Sequence, residues 1–163
     1  MNKSLLLVFL CISTWFVVGQ EQKSHSLFFE VGGSGGLGSI NYEGDLFPQL
    51  STDFHRNTWR AGFSIAPIDK NNGTALVFPV MINSLIGRKA HLLELGVGQG
   101  FTVTTRGSFF SLTTATIGYR YQPIEKPWFF RATYTPLISY LIDFQVQQWG
   151  GLSIGYTFKS QNK

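Results

Sequence analysis

Residues 26–44 read SLFFEVGGSGGLGSINYEG, and the run GSGGLG at 33–38 within them decides between two folds. It matches G-x-G-x-x-G, the pattern that brings a strand-to-helix turn close to a dinucleotide pyrophosphate. Such a turn needs a helix opening near Gly36 and an acidic residue about 20 positions further on. SINYEG follows instead, and it alternates. Before the glycines, Leu27, Phe29 and Val31 share one face and Glu30 lies opposite. After them, Ile40 and Tyr42 share a face, with Ser39, Asn41 and Glu43 opposite. The apolar set has moved from odd to even positions. A phase change of one residue needs a bulge or a turn, and glycine adopts both. Either one strand kinks here, or a tight hairpin joins two strands at Ser34–Gly35.

The same alternation recurs along the chain. It runs through residues 58–66, 75–86, 91–103, 114–122, 128–135 and 150–158. In TATIGYRYQ (114–122), Ala115, Ile117, Tyr119 and Tyr121 oppose Thr116, Gly118, Arg120 and Gln122. In GGLSIGYTF (150–158), Leu152, Ile154, Tyr156 and Phe158 oppose Gly151, Ser153, Gly155 and Thr157. One face is large and apolar; the other is glycine, hydroxyl or a single charge. Period-2 patterning of this kind marks strands, and no convincing helical period follows residue 20.

The chain opens MNKSLLLVFLCISTWFVVG. A positive start at Lys3, an apolar run over 5–18 and a small residue at Gly19 predict a signal peptide at 1–19 and a barrel domain over 20–163. Cys11 is the only cysteine, so a chain cut near Gln20 has no thiol, no disulfide and no cysteine metal site. The three histidines are far apart and lack ligand spacing. Net charge is +4, spread singly, with no stripe to suit a nucleic acid. No cofactor is expected. The 163 residues hold 18 Gly, 15 Phe, 6 Tyr and 4 Trp but only 13% charged residues, an unusual balance for a soluble domain.

A soluble sandwich would alternate too, with its polar face in water. Here the polar-side residues are mostly small, which suits the tight interior of a barrel of about eight strands. Aromatics gather at segment ends, as in the girdles of transmembrane barrels. The expected fold is therefore all-β: a closed antiparallel transmembrane barrel of about eight strands. The hairpin at Ser34–Gly35 gives eight strands; a kinked strand, with LISYLIDFQV (137–146) forming another, also gives eight but makes the loop lengths less regular, so the hairpin is the preferred reading. Loops are expected over 44–57, 67–74, 102–109 and 137–148, and turns at 87–90 and 122–127. Pro79 cannot donate a ladder hydrogen bond, so a bulge is expected there.

The chain resembles the small outer-membrane β-barrel proteins of Bacteroidetes-type bacteria. The likeness lies in FFEVGGSGGLGSINYE (28–43), FPVMINSLIGRKAHLLELGVG (78–98), TIGYRYQPIEKPWFFRATYTPL (116–137) and WGGLSIGYTF (149–158). It implies outer-membrane localisation, contact with outer-membrane lipid and a terminal aromatic read by the barrel-assembly machinery. Phe158 matches that aromatic, although the tail KSQNK follows it. The family brings no catalytic residue to carry over, and the sequence names no specific ligand.

Some eight-stranded outer-membrane barrels modify lipids with Ser and His. Ser84 and His91 would approach across the GRKA turn, but alternation puts them on opposite faces, so an enzyme is not the expected reading. Glu30, Arg60, Glu94, Arg120 and Arg131 all fall on the lumen face, where charges in a narrow interior pair and hold the barrel shut. Glu94, Gly118 and Arg131 are expected to form one cross-strand row, with Asn83 beside Glu94. The expected role is structural or surface-interaction; a narrow channel or a lipid-modifying enzyme is the alternative.

Overall fold

The computed structural model describes residues 24–69, 73–139 and 144–159; the expected signal peptide lies outside them. The strands are β1 (Ser24–Gly32), β2 (Gly38–Leu46), β3 (His55–Asp69), β4 (Gly73–Arg88), β5 (His91–Thr104), β6 (Phe109–Tyr121), β7 (Trp128–Tyr134), β8 (Leu137–Ser139), β9 (Gln145–Gln147) and β10 (Gly150–Lys159). All pairings are antiparallel. Consecutive strands from β1 to β6 pair in order, β7 and β8 both pair with β6, and β10 pairs with both β7 and β1. β7 and β8 are two parts of one strand, separated at Thr135 and Pro136, where proline has no N–H to give the ladder. β9 and β10 are likewise one strand, separated at Gln148 and Trp149. Eight strands close into a barrel.

The strands are staggered. Partners followed from Leu27 lead through Tyr42, Ala61, Val80, Gln99, Thr113 and Ile138 to Val146. On its other side Leu27 pairs with Tyr156, ten residues further along that same last strand. Closure with such a stagger tilts every strand against the barrel axis.

The glycine run is a hairpin. Glu30 pairs with Ser39 and Val31 with Gly38, which centres the turn at Ser34–Gly35. Gly32, Gly33 and Gly36 take φ of 76°, 72° and 82°, the left-handed half that side chains avoid. The turn folds inward rather than out, and Gly33, Ser34 and Gly35 are buried. A Cβ on Gly32 would lie 2.1 Å from the Gly150 carbonyl oxygen, and one on Gly33 would lie 2.6 Å from the Glu30 carboxyl carbon. The glycines let the backbone lie across the end of the lumen.

Several expected loops are instead strand. β3 starts at His55 and β2 runs to Leu46, which shortens the 44–57 loop to 47–54. The 102–109 loop shrinks to 105–108, and β8 and β9 occupy most of the ends of 137–148. Ladder pairing carries these residues past the point where the amphipathic pattern fades. At Pro79 there is no bulge: β3–β4 pairing lapses between Ala61–Val80 and Ser64–Val77 and resumes in the same register. The irregularity lies at Pro67–Asp69 instead. The Pro79 ring fits because Gly62 beside it has no side chain.

Outward faces are mostly apolar. Trp59, Phe63, Phe78, Ile82, Leu95, Ile117, Tyr119 and Ile154 are all exposed. Ring contacts gather at the end where β1 begins and β10 ends: His25 with Tyr42, Tyr42 with Trp59, His91 with Tyr119 and Tyr121, and Tyr156 with Trp128 and Phe158. Such a surface demands lipid or another apolar partner.

Candidate functional site: the charged lumen

Inward positions of every strand converge on a polar core. Glu30, Arg60, Glu94 and Arg120 are 0% exposed, Asn83 1% and Arg131 3%. Water is excluded from these charges, so each needs a partner.

Register decides the partners. Glu94 stands opposite Gly118, as the hairpin arithmetic predicts. Gly118, however, faces Thr133, and Arg131 faces Arg120. Asn83 faces Gly96, not Glu94. Both differences have one cause, a hairpin centred one residue later than its sequence midpoint. β4 and β5 turn on Lys89 and Ala90, with Lys89 at φ 58°, and the β6–β7 register centres between Glu125 and Lys126. A one-residue shift of centre moves each partner by two positions, so every side chain keeps its face. Arg131 therefore stays in the lumen. Asn83 loses the expected role: its amide makes no hydrogen bond to a described residue and does not support Glu94.

The charges form one chain and one separate pair. Arg131 donates from Nη1 to Glu94 Oε1 at 3.0 Å and from Nη2 to Glu30 Oε1 at 2.5 Å. Arg60 Nη1 reaches the same Glu30 oxygen at 3.5 Å, and its Nη2 donates to Ser34 Oγ in the inward turn. Arg120 Nη1 binds both oxygens of Glu43 at 2.7 and 3.0 Å. Two aromatic rings fill the space between. The Arg131 guanidinium lies 4.9 Å from the Phe28 centroid and that of Arg120 3.9 Å from the Phe129 centroid, while the rings meet edge to face at 5.7 Å. Stacked guanidinium and ring share a dry space that a hydrated ammonium would not tolerate.

Glu43 is a member that the sequence reading passed over. Its signal was present, since alternation put it on the face of Ser39 and Asn41. On the sequence it stands at the end of an alternating stretch, next to an expected loop. In the structure β2 continues past it to Leu46 and Glu43 is buried.

The two ends of the lumen differ. The turn at 33–35 closes one. At the other, where β1 begins and β10 ends, the barrel opens into a cavity of about 1030 Å³ whose walls include Arg56, Leu85, Leu92 and Gln122.

Ser84 and His91 are not brought together. Both lie on the outward face rather than on opposite faces, because the β4–β5 register pairs Ser84 with Leu95 and Arg88 with His91. His91 Nδ1 bonds the Tyr119 hydroxyl at 2.5 Å, and Ser84 Oγ lies 2.6 Å from His55 Nε2. Phe158 sits outward on β10 opposite His25, half exposed.

Among solved structures, the N-terminal β-barrel domain of OprF from Pseudomonas aeruginosa overlays with a TM-score of 0.54 at 15% identity, covering 86% of this chain and 99% of that one. Ail, the attachment invasion locus protein of Yersinia pestis, gives a TM-score of 0.49 at 15% identity, covering 86% of this chain and 100% of that one. At such identity the likeness is one of fold, and the fold is that of small outer-membrane β-barrels. No protein-family model matches the chain, and no curated protein matches it.

Proposed function

We propose that this chain is a small outer-membrane β-barrel of the kind made by Bacteroidetes-type bacteria, with a structural or surface-interaction role and no catalytic activity. The observation that carries the reading is the inversion of an ordinary globule. Buried positions hold Glu30, Glu43, Glu94, Arg60, Arg120 and Arg131, and exposed positions hold Leu, Ile, Val, Phe and Trp. A lipid solvent makes that arrangement favourable, because closed ladders satisfy the backbone and apolar side chains meet acyl chains.

A channel role ranks second because ion pairs and two phenylalanine rings occupy the lumen and the inward turn covers one end. In the proposed setting the outward faces contact outer-membrane lipid, and Phe158 is the aromatic read by the barrel-assembly machinery. The test is electrophoresis and fractionation. Protein refolded into vesicles is expected to run at a different position unboiled than boiled, and the native protein to sediment with outer membranes. Equal mobility, together with recovery in a soluble fraction, overturns the reading.

A further inference from the structure

The two ends of the lumen make it a vessel with one mouth. At the closed end Ser34 is 4% exposed and bonded to Arg60, and below it the Glu94–Arg131–Glu30–Arg60 chain fills the cross-section. At the open end lies the cavity of about 1030 Å³. A molecule entering there meets a floor and must leave the way it came. That is the geometry of a binding site, and the volume is of the order that pockets for small organic ligands reach.

The chemistry of the cavity selects the ligand. Arg56 stands on its wall with a side chain 24% exposed. Its Nε lies 3.5 Å from Asp45 Oδ1 and its Nη2 donates to Gln122 Oε1 at 3.2 Å. A guanidinium carries five N–H donors, so these contacts leave several for another acceptor. Asp45 is already engaged, since it also accepts from the Ser24 backbone N–H at 2.8 Å. Nearer the mouth are three more cations, Arg88, Lys89 and Lys126, all exposed, against the acids Asp53 and Glu125. Arg88 is held over the Phe54 ring at 5.7 Å. Half-buried Leu92 supplies an apolar wall beside Arg56, with Leu85, 1% exposed, packed behind it. A partly exposed guanidinium beside leucines, inside a mouth with more cations than free acids, matches a carboxylate on an apolar body.

We propose that the cavity at the open end is a binding site for a small carboxylate-bearing molecule with an apolar body, its carboxylate on Arg56 and its body against Leu92. The inference goes beyond the structural role and needs only a folded barrel.

Benzoate is the probe, with benzyl alcohol as the uncharged control of the same shape. The full chain, refolded in zwitterionic micelles and labelled with ¹⁵N, is titrated with each. Benzoate is expected to give saturable shifts at Arg56, Leu85, Leu92 and Gln122, and benzyl alcohol none at matched concentration. Arg56→Gln is expected to weaken benzoate about tenfold or more, the value of a charge-assisted contact. Lys126→Glu, an exposed change that leaves the fold intact, is expected to weaken it severalfold by reversing a charge at the mouth. Equal binding of benzyl alcohol, shifts that grow without saturating, or unchanged affinity in Lys126→Glu and Arg56→Gln each overturn the site. Heat-modifiable mobility, read on the same samples, reports barrel formation separately, so a failed titration of a shifted band refutes the site and leaves the barrel reading standing.

Discussion

Arg131 meets Glu94 at 3.0 Å although no row of cross-strand partners joins them. From Glu94 the row passes through Gly118 to Thr133, two positions along β7 from Arg131 on the same face. Two strand spacings of about 4.8 Å and two residues of rise separate the backbones, so the contact is a diagonal that only long side chains span. Gly118 stands between their strands without a side chain; a Cβ there would lie 2.5 Å from Thr133 Cγ2. The ion pair survives the register difference because Arg131 has reach and two separately directed nitrogens, one for Glu94 and one for Glu30.

Breaking this pair on one side is expected to be costly. Arg131→Leu leaves Glu94 and part of Glu30 unpaired in a dry interior, at about 3–5 kcal/mol. The double variant Glu94→Leu with Arg131→Leu is expected to lose less than Arg131→Leu alone, because no unpaired Glu94 charge remains. Urea unfolding in vesicles, read as the loss of the unboiled band, measures both. A double variant weaker than Arg131→Leu contradicts the pairing.

The inward turn gives two contrasting alanine substitutions. Gly33→Ala places a methyl against the Glu30 carboxylate at φ 72°, so steric and conformational strain add. Gly36→Ala has φ 82° and ψ −131° but nothing within 4 Å, so only the backbone strain of a conformation suited to glycine, about 1–3 kcal/mol, remains. Gly33→Ala is expected to be the more destabilising of the two in the same urea assay. The reverse order would mean that the turn does not lie on Glu30.

Purified barrel in a planar bilayer is expected to show no stable single-channel steps. Phe28, Phe129 and the ion pairs fill the middle of the lumen, and eight strands leave about the room that side chains need. Reproducible open steps of the unmodified protein overturn the closed-lumen account.

Outward and inward faces are expected to answer oppositely to polarity. Val97 lies mid-strand on the outward face and is 59% exposed. Val97→Arg puts a charge among acyl chains and is expected to cost about 2–4 kcal/mol. Ser153 is buried in the lumen and its hydroxyl bonds no described residue, so Ser153→Ala is expected to be neutral or stabilising. Stability in vesicles checks the pair, and a tolerated Val97→Arg argues against a lipid-facing wall.

Face was a property of the sequence by itself. Side chains alternate with period two, so Leu27, Ile40, Phe63, Ile117 and Ile154 declared the outward side, and Glu30, Arg60, Glu94, Arg120 and Arg131 the inward side, before any strand had a neighbour. The phase change across GSGGLG likewise marked a break at the glycines but left a kinked strand and a hairpin both open, and the pairing of Glu30 with Ser39 decided for the hairpin. Partner and direction were properties of the closed barrel alone. Whether a hairpin turns on GRKA's middle or on Lys89–Ala90 depends on a left-handed Lys89 and on the stagger of six other strands, and that one residue moved Asn83 from Glu94 to Gly96. The sequence pattern has no term for a turn that folds into the lumen instead of out of it. It did so here because Glu30 and Arg60, drawn from different strands, offered Gly33 and Ser34 a surface to rest on once the barrel had closed. Alternation is local and survives any register shift of two; an ion pair and a floor to a cavity require distances between strands that only closure sets.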